Sequence, residues 1–240
     1  MLDIQIAVSK INKYATRESG DTVEVVERPH GGVTVVLVDG QGSGRASKLI
    51  SGMVAGKVLA LIKDGTRDGV VARAAHDYLY LQRGGKVSAT LALCSVDLTS
   101  RTLVLSRNSH CPFAVFAPDA EGVRWLDAES GPIGLYRQTR PLVVELPLEP
   151  EIWVVAFSDG ILEAGRRADK SWDPRAVLTA LFPPSAPLSP PRQVADGLLA
   201  AALDCDQGRP QDDMSVIVLA VRPSPDVPQV RTLDMSLPVE

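Results

Sequence analysis

The chain has 240 residues, 45% hydrophobic and 22% charged, and its 25 basic against 29 acidic side chains leave a formal net charge of −4. A chain this long buries a core without disulfide staples, and its 19 glycines and 18 prolines fall short of the roughly 25–30% that marks low-complexity sequence. The mild acidity, with no basic stripe, excludes a surface that tracks nucleic acid, and no run reaches the ~18 apolar residues of a membrane span.

Residues 3–8 read as a short strand. Residues 22–28 and 33–38 read as a hairpin around Pro29-His30-Gly31-Gly32, which has turn chemistry. The near-continuous apolar run from Val33 to Val38 predicts a strand buried on both faces. Asp39-Gly40-Gln41-Gly42-Ser43-Gly44 breaks the pattern. Apolar residues at Leu49, Ile50, Met53, Val54, Val58, Leu59 and Leu61 then predict a helix over 45–64, ended by Asp64-Gly65. A second helix over 68–83 ends at Gly84-Gly85, with Tyr78 and Tyr80 reading as core and rim packing. Strands follow over 87–98 and 101–107, with Asp97-Leu98-Thr99-Ser100 at the turn, and then over 112–117, 123–126, 141–146 and 152–158. Beyond Asp159-Gly160 the chain turns helical or irregular, with helices over 174–182 and 191–205 and a last strand over 214–221.

Hairpin-joined strands imply antiparallel pairing, and the helices come in pairs rather than after every strand, unlike a doubly wound sheet. The expectation is an α+β fold of antiparallel sheet layers with paired helices outside, in one domain over 1–222. Residues 223–240 form a tail: an added edge strand, a disordered extension, or a segment that pairs with a second subunit. Met1-Leu2-Asp3-Ile4 lacks the basic start of a secretion signal. Cys94, Cys111 and Cys205 have no CxxC spacing, which fits a reducing cytoplasm and gives no zinc site.

The residues that carry chemistry are aspartates at strand ends. Asp39-Gly40 ends the strand over 33–38, Asp159-Gly160 follows the strand over 152–158, Asp212-Asp213 opens the last strand, and Asp21 opens the strand over 22–28. Carboxylates converging at one sheet edge raise one another's pKa, and hard divalent ions with oxygen ligands, Mg²⁺ or Mn²⁺, relieve that repulsion. Gly40 permits a tight turn that can face its carbonyl to the same ion as Asp39, and Gly42 permits close approach of backbone or substrate. Each motif alone also reads as an ordinary polar turn. Residues 39–44 lack the Gly-Lys-Ser/Thr of a P-loop.

Taken in order, the motifs resemble the SpoIIE-type (RsbX-like) branch of the metal-dependent protein phosphatase (PPM, type-2C-like) family. The segments are Ser19-Gly20-Asp21, Val38-Asp39-Gly40-Gln41-Gly42-Ser43-Gly44-Arg45-Ala46, Ala89-Thr90-Leu91, Arg107-Asn108-Ser109-His110, Gly131-Pro132-Ile133-Gly134-Leu135, Phe157-Ser158-Asp159-Gly160-Ile161-Leu162-Glu163-Ala164 and Asp212-Asp213-Met214-Ser215-Val216. The resemblance implies a four-layer α-β-β-α sandwich. It implies that Asp39 bridges two metal ions, that Gly40 offers its carbonyl to one of them, that Asp159 and Asp212 complete the first site, and that Asp21 serves the second. Asp213 stands where the broader family has Asn, and is expected behind the ligands. Arg17 is a candidate substitute for an upstream phosphate-binding Arg. The family's Asn-Ala-Gly-His-Pro-Pro segment reads Asn-Ser-His-Cys-Pro here.

The activity so implied is hydrolysis of phosphoserine or phosphothreonine on a protein. Two ions, Mn²⁺ or Mg²⁺ and about 3.5–4 Å apart, would hold the attacking water. The implied partner is a phosphorylated regulatory protein, a STAS-type antagonist of an anti-sigma factor or a stressosome component, in the cytoplasm, with no nucleic acid and no membrane. Two alternatives are a non-catalytic binding module on the same fold and a phosphatase of small phosphoesters. The helix over 45–64 starts directly after the metal loop, so shifting it would move Asp39 and Gly40.

Overall fold

Side-chain alternation along the strands divides the apolar residues among three cores. The structure is a computed structural model that describes residues 1–117, 122–166, 170–183, 189–224 and 230–236. One sheet has the order β1 (Leu2–Ile11), β10 (Met214–Pro223), β9 (Trp153–Phe157), β6 (Phe113–Phe116) and β7 (Val123–Leu126). The other has the order β2 (Asp21–Glu27), β3 (Gly32–Gly40), β4 (Ala89–Asp97), β5 (Thr102–Asn108) and β8 (Leu142–Pro147). All neighbouring strands run antiparallel.

Helices α1 (Gly44–Lys63) and α2 (Asp68–Arg83) cover the second sheet, and α4 (Pro174–Leu181) and α5 (Pro191–Cys205) cover the first. In β3, Val35 and Leu37 enter the core between the sheets, whereas Val36 and Val38 enter the core under α1 and α2. In β10, Ile217, Leu219 and Val221 face the inter-sheet core, and Val216, Val218 and Ala220 face α4 and α5. Strands buried on both faces must be apolar throughout, which is why these runs lack polar alternation. Each such Val, Leu or Ile side chain contributes about 1.5–3 kcal/mol when fully buried. The α+β sandwich matches the sequence expectation.

The differences lie at element ends. β1 runs to Ile11 because it pairs with β10 along its whole length, from Leu2↔Pro223 to Ile11↔Met214. The stretch after β9 contains a short helix, α3 (Asp159–Leu162). Residues 230–236 carry no strand, and Arg231 there pairs with Glu27 at 3.1 Å. The rest of the tail beyond Ser224 lies outside the described residues. Among the described residues, no helix is long and apolar enough to cross a membrane.

Candidate active site

The strand ends that carry the aspartates meet at one end of the sandwich. Asp21 opens β2, Asp39 is the next-to-last residue of β3, and the register pairs them directly. Their side chains therefore leave the face on which Val23 and Leu37 enter the inter-sheet core. Asp159 opens α3 just past β9, and Asp212-Asp213 lead into β10 beside it. The Ser158 N–H donates to the Ser215 carbonyl at 3.0 Å, and the Ser215 N–H returns a 3.0 Å bond to Ser158 Oγ. Ser215 Oγ then donates to Asp21 Oδ2 at 2.6 Å, a bond from one sheet to the other.

Buried Asp213 accepts from the backbone N–H of Lys13 at Oδ1 (2.9 Å) and of Gly20 at Oδ2 (2.8 Å), which staples the β1–β2 loop to the start of β10. Asp212 Oδ1 accepts the Asp213 N–H at 3.0 Å. Buried Asp206 accepts from Gly165 N–H (2.7 Å) and Gln211 N–H (2.8 Å), holding the loop after α3 against the segment that leads to Asp212. Helix α1 sits on the loop that follows Asp39. The hydroxyl of fully buried Ser47 donates to the Gly40 carbonyl at 2.5 Å. A Cβ on Gly40 would lie 2.3 Å from the Ser47 carbonyl oxygen, and one on Gly20 would lie 2.2 Å from Ser47 Oγ, so both positions require glycine. Gly42 is exposed with φ +94, and Arg17 is exposed in the β1–β2 loop.

Burial, followed by like charge at Asp39 and Asp159, sets the electrostatics. Asp39 is pushed up to about 9 by burial and by the charges of Asp21, Asp159, Asp212 and Asp213. Burial pushes Asp21 up to about 7, against the Ser215 and Ser158 hydroxyls and the charge of Lys10. Asp159 is raised by burial and by Asp212, opposed by exposed His110. Asp21 Oδ1 is buried and has no hydrogen-bond partner among the described residues. An all-oxygen donor set, an orphaned buried carboxylate oxygen and mutually raised carboxylates suit a hard divalent cation. The carboxylates are close but not closed into a cage. Among the described residues, no group of three or more His, Cys, Asp or Glu side chains is arranged to hold a metal ion. Protein donors instead engage Asp21, Asp212 and Asp213. A groove lined by Leu98, Arg101, Leu148 and Glu149 lies at the opposite end, beside the β4–β5 turn, and brings no cluster of titratable groups together.

Sequence reasoning passed over Ser47, Ser158 and Ser215. Ser215 had a legible signal. It is polar at a position that faces the inter-sheet core in the otherwise apolar alternation of β10. Ser47 had none, since a serine in an amphipathic helix reads as neutral.

The family model described as Stage II sporulation protein E (SpoIIE) matches residues 29–222, and the chain belongs to this family. Asp39, Gly40, Gly42, Asp159, Asp212 and Asp213 lie within the matched segment, with Asp21 and Arg17 ahead of it. The chain is 22% identical over 205 residues to stage II sporulation protein E of Bacillus subtilis (strain 168), covering 85% of this chain and 24% of that protein. It thus spans about a quarter of the length of this curated relative. Among solved structures it is similar to the PP2C phosphatase domain, with a fragment of the regulatory domain, of SpoIIE from Bacillus subtilis, with a TM-score of 0.79 and 19% identity over 92% of this chain and 64% of that one. The SpoIIE phosphatase domain in a crystal form without domain swapping gives 0.70 and 18% over 98% of each chain. RsbX in complex with magnesium gives 0.66 and 15% over 92% of this chain and 100% of that one. The fold is that of these PP2C phosphatase domains.

Proposed function

From its membership of the SpoIIE family we infer that this chain is a metal-dependent protein serine/threonine phosphatase, with Asp21, Asp39, Gly40, Asp159 and Asp212 holding the metals. One observation carries the reading. Carboxylates from both sheets meet at one end with Asp21 Oδ1 left buried and unbonded, a charge distribution that cations complete. The ions are two Mn²⁺ or Mg²⁺; RsbX, a structural relative, was solved with magnesium. Divalent ions supply Lewis-acid polarisation of phosphoryl oxygens and make water more acidic.

The chain's own residues prepare that site. Asp39 has acidic neighbours on every side, which suits it to bridge two ions. Ser215 orients Asp21 through Oδ2 and leaves Oδ1 free. The Ser47 hydroxyl fixes the Gly40 carbonyl, whose second lone pair remains available. Asp159 and Asp212 reach in from the first sheet, and Asp213 holds the loop that carries Asp21. Gly42 leaves room for the substrate's backbone. The substrate is a phosphorylated cytoplasmic regulatory protein, STAS-type or a stressosome component. Similarity to RsbX and to a chain described under the bacterial stressosome supports that choice.

A second reading, a non-catalytic binding module, draws on the carboxylate oxygens already bonded to protein donors. The two separate on phosphate release from a phosphorylated STAS-domain protein, followed by intact mass with and without Mn²⁺. Metal-dependent loss of one phosphate supports the phosphatase. An unchanged mass, with the protein co-eluting with its partner, supports the module. Faster turnover of small phosphoesters than of phosphoprotein would move the substrate to metabolites.

A further inference from the structure

Two ammonium groups converge on one main-chain oxygen beside the acidic site. Lys10, near the end of β1, donates from Nζ to the Asp21 carbonyl at 2.6 Å. Lys48, near the start of α1, donates to the same oxygen at 3.3 Å and to Thr22 Oγ1 at 2.9 Å. Among the described residues, neither lysine forms a salt bridge. Because β2 is an edge strand, its outward carbonyl needs a donor, but one ammonium suffices for that. The second adds repulsion. Burial, and then the charge of Lys48, lower the pKa of Lys10 against the opposing pull of Asp21, Asp213 and Glu24.

Two of those acids belong to the carboxylate cluster. With that cluster's charge neutralised by cations, Glu24 is the one of those three acids left to offset the positive charge of the two lysines. They also have donors in reserve. An ammonium carries three N–H groups; Lys10 spends one on the Asp21 carbonyl, and Lys48 spends two. Arg17, the sequence candidate for holding phosphate, makes no side-chain hydrogen bond among the described residues and sits exposed in its loop.

We propose that Lys10 and Lys48 together form an oxyanion seat at the rim of the acidic site, taking the phosphoryl oxygens of the substrate and, equally, inorganic phosphate. The identity of the ligand rests on the phosphatase reading; the seat rests on the lysines' convergence. The seat spans β1, β2 and α1, so it forms only when these three elements are packed as described. A lysine gripping phosphate as a point charge suits a site whose substrate arrives on varied protein segments.

Inorganic phosphate is titrated calorimetrically into Mg²⁺-saturated wild type, Lys10→Met, Lys48→Met, the double variant and Lys48→Arg. Mn²⁺ affinity is measured separately by electron paramagnetic resonance, and folding by circular dichroism. Each Lys→Met change should weaken phosphate binding by about tenfold or more, Lys48→Arg should retain most of it, and Mn²⁺ affinity should stay within about twofold. Lys10 is exposed and Lys48 half-buried, so both positions tolerate substitution, and should one variant not fold the other carries the test. Unchanged phosphate affinity in the folded double variant overturns the proposal. So does a loss that merely follows lost Mn²⁺ binding, and so does a wild type that binds no phosphate. Phosphopeptide turnover is recorded in parallel. Lysine-dependent phosphate binding without turnover upholds the seat and refutes the phosphatase reading, whereas turnover with lysine-independent binding does the reverse.

Discussion

Burial and crowding of carboxylates at one end of the sandwich make the protein, with no cation present, lose stability as pH rises. Burial and acidic neighbours push Asp39 up to about 9, and burial pushes Asp21 up to about 7. In the unfolded chain both ionise near about 3.9. Between about pH 5 and 7 the folded state therefore holds about two more protons than the unfolded state, and from 7 to 9 about one more. Each excess proton lowers the unfolding free energy by about 1.4 kcal/mol per pH unit. Both folded-state values are raised, so their contribution is fully present at acid pH and is lost as pH climbs from about 4 towards about 9. Asp39→Asn removes one of the two groups. In excess EDTA, the variant's stability relative to wild type should grow by about 1.4 kcal/mol per pH unit between pH 5 and 8. Urea unfolding at pH 5.5, 6.5 and 7.5, followed by tryptophan fluorescence, measures that difference directly. Parallel pH profiles for the two proteins, or an advantage of the variant that shrinks with pH, would refute the reasoning.

Three further outcomes follow from buried contacts, the first at the far end of β3 and the other two beside the site. Arg28 is buried against Asp68 with Nη1 3.3 Å from Oδ2, and also bonds the Thr66 carbonyl at 3.1 Å and Thr34 Oγ1 at 2.9 Å; Arg28→Ala should cost about 3–5 kcal/mol in urea unfolding, most of it recovered in Arg28→Met/Asp68→Leu. Asp213→Ala strips the acceptors from the Gly20 and Lys13 N–H groups of the β1–β2 loop, so it should cost about 1–3 kcal/mol for each and raise hydrogen exchange at those two amides ahead of β2. Gly40→Ala drives its Cβ against the Ser47 backbone, which requires α1 to shift; a soluble variant with wild-type Mn²⁺ affinity and an unchanged melting temperature would contradict that contact.

The sandwich was legible because its strands announce their surroundings. The apolar run from Val33 to Val38 has one physical use, a strand covered on both faces, and β3 has that position. Gly84 takes up the left-handed conformation at the end of α2 that its position in the sequence suggested. Strand ends were less legible, because pairing rather than hydropathy sets them: polar Lys10 and Ser9 extend β1 only because β10 continues opposite them. At the site, the aspartates could be picked out by their places at strand ends. What holds them could not, since Ser215, Ser47 and Asp213 act through contacts about 200 positions away in sequence, or through a helix stacked on a loop. The buried Arg28–Asp68 pair was hidden for the same reason, with the residue just past β2 meeting the first residue of a helix 40 positions later.

The most direct test of the central claim is hydrolysis of a phosphothreonine peptide by metal-stripped protein titrated with Mn²⁺ and Mg²⁺, wild type beside Asp39→Asn. The account predicts activity that appears with metal and falls at least about a hundredfold in the variant, since a divalent ion's role as Lewis acid and source of acidified water is then lost. Turnover in the folded Asp39→Asn protein within a few-fold of wild type, or no turnover by folded wild type with either metal, would contradict it.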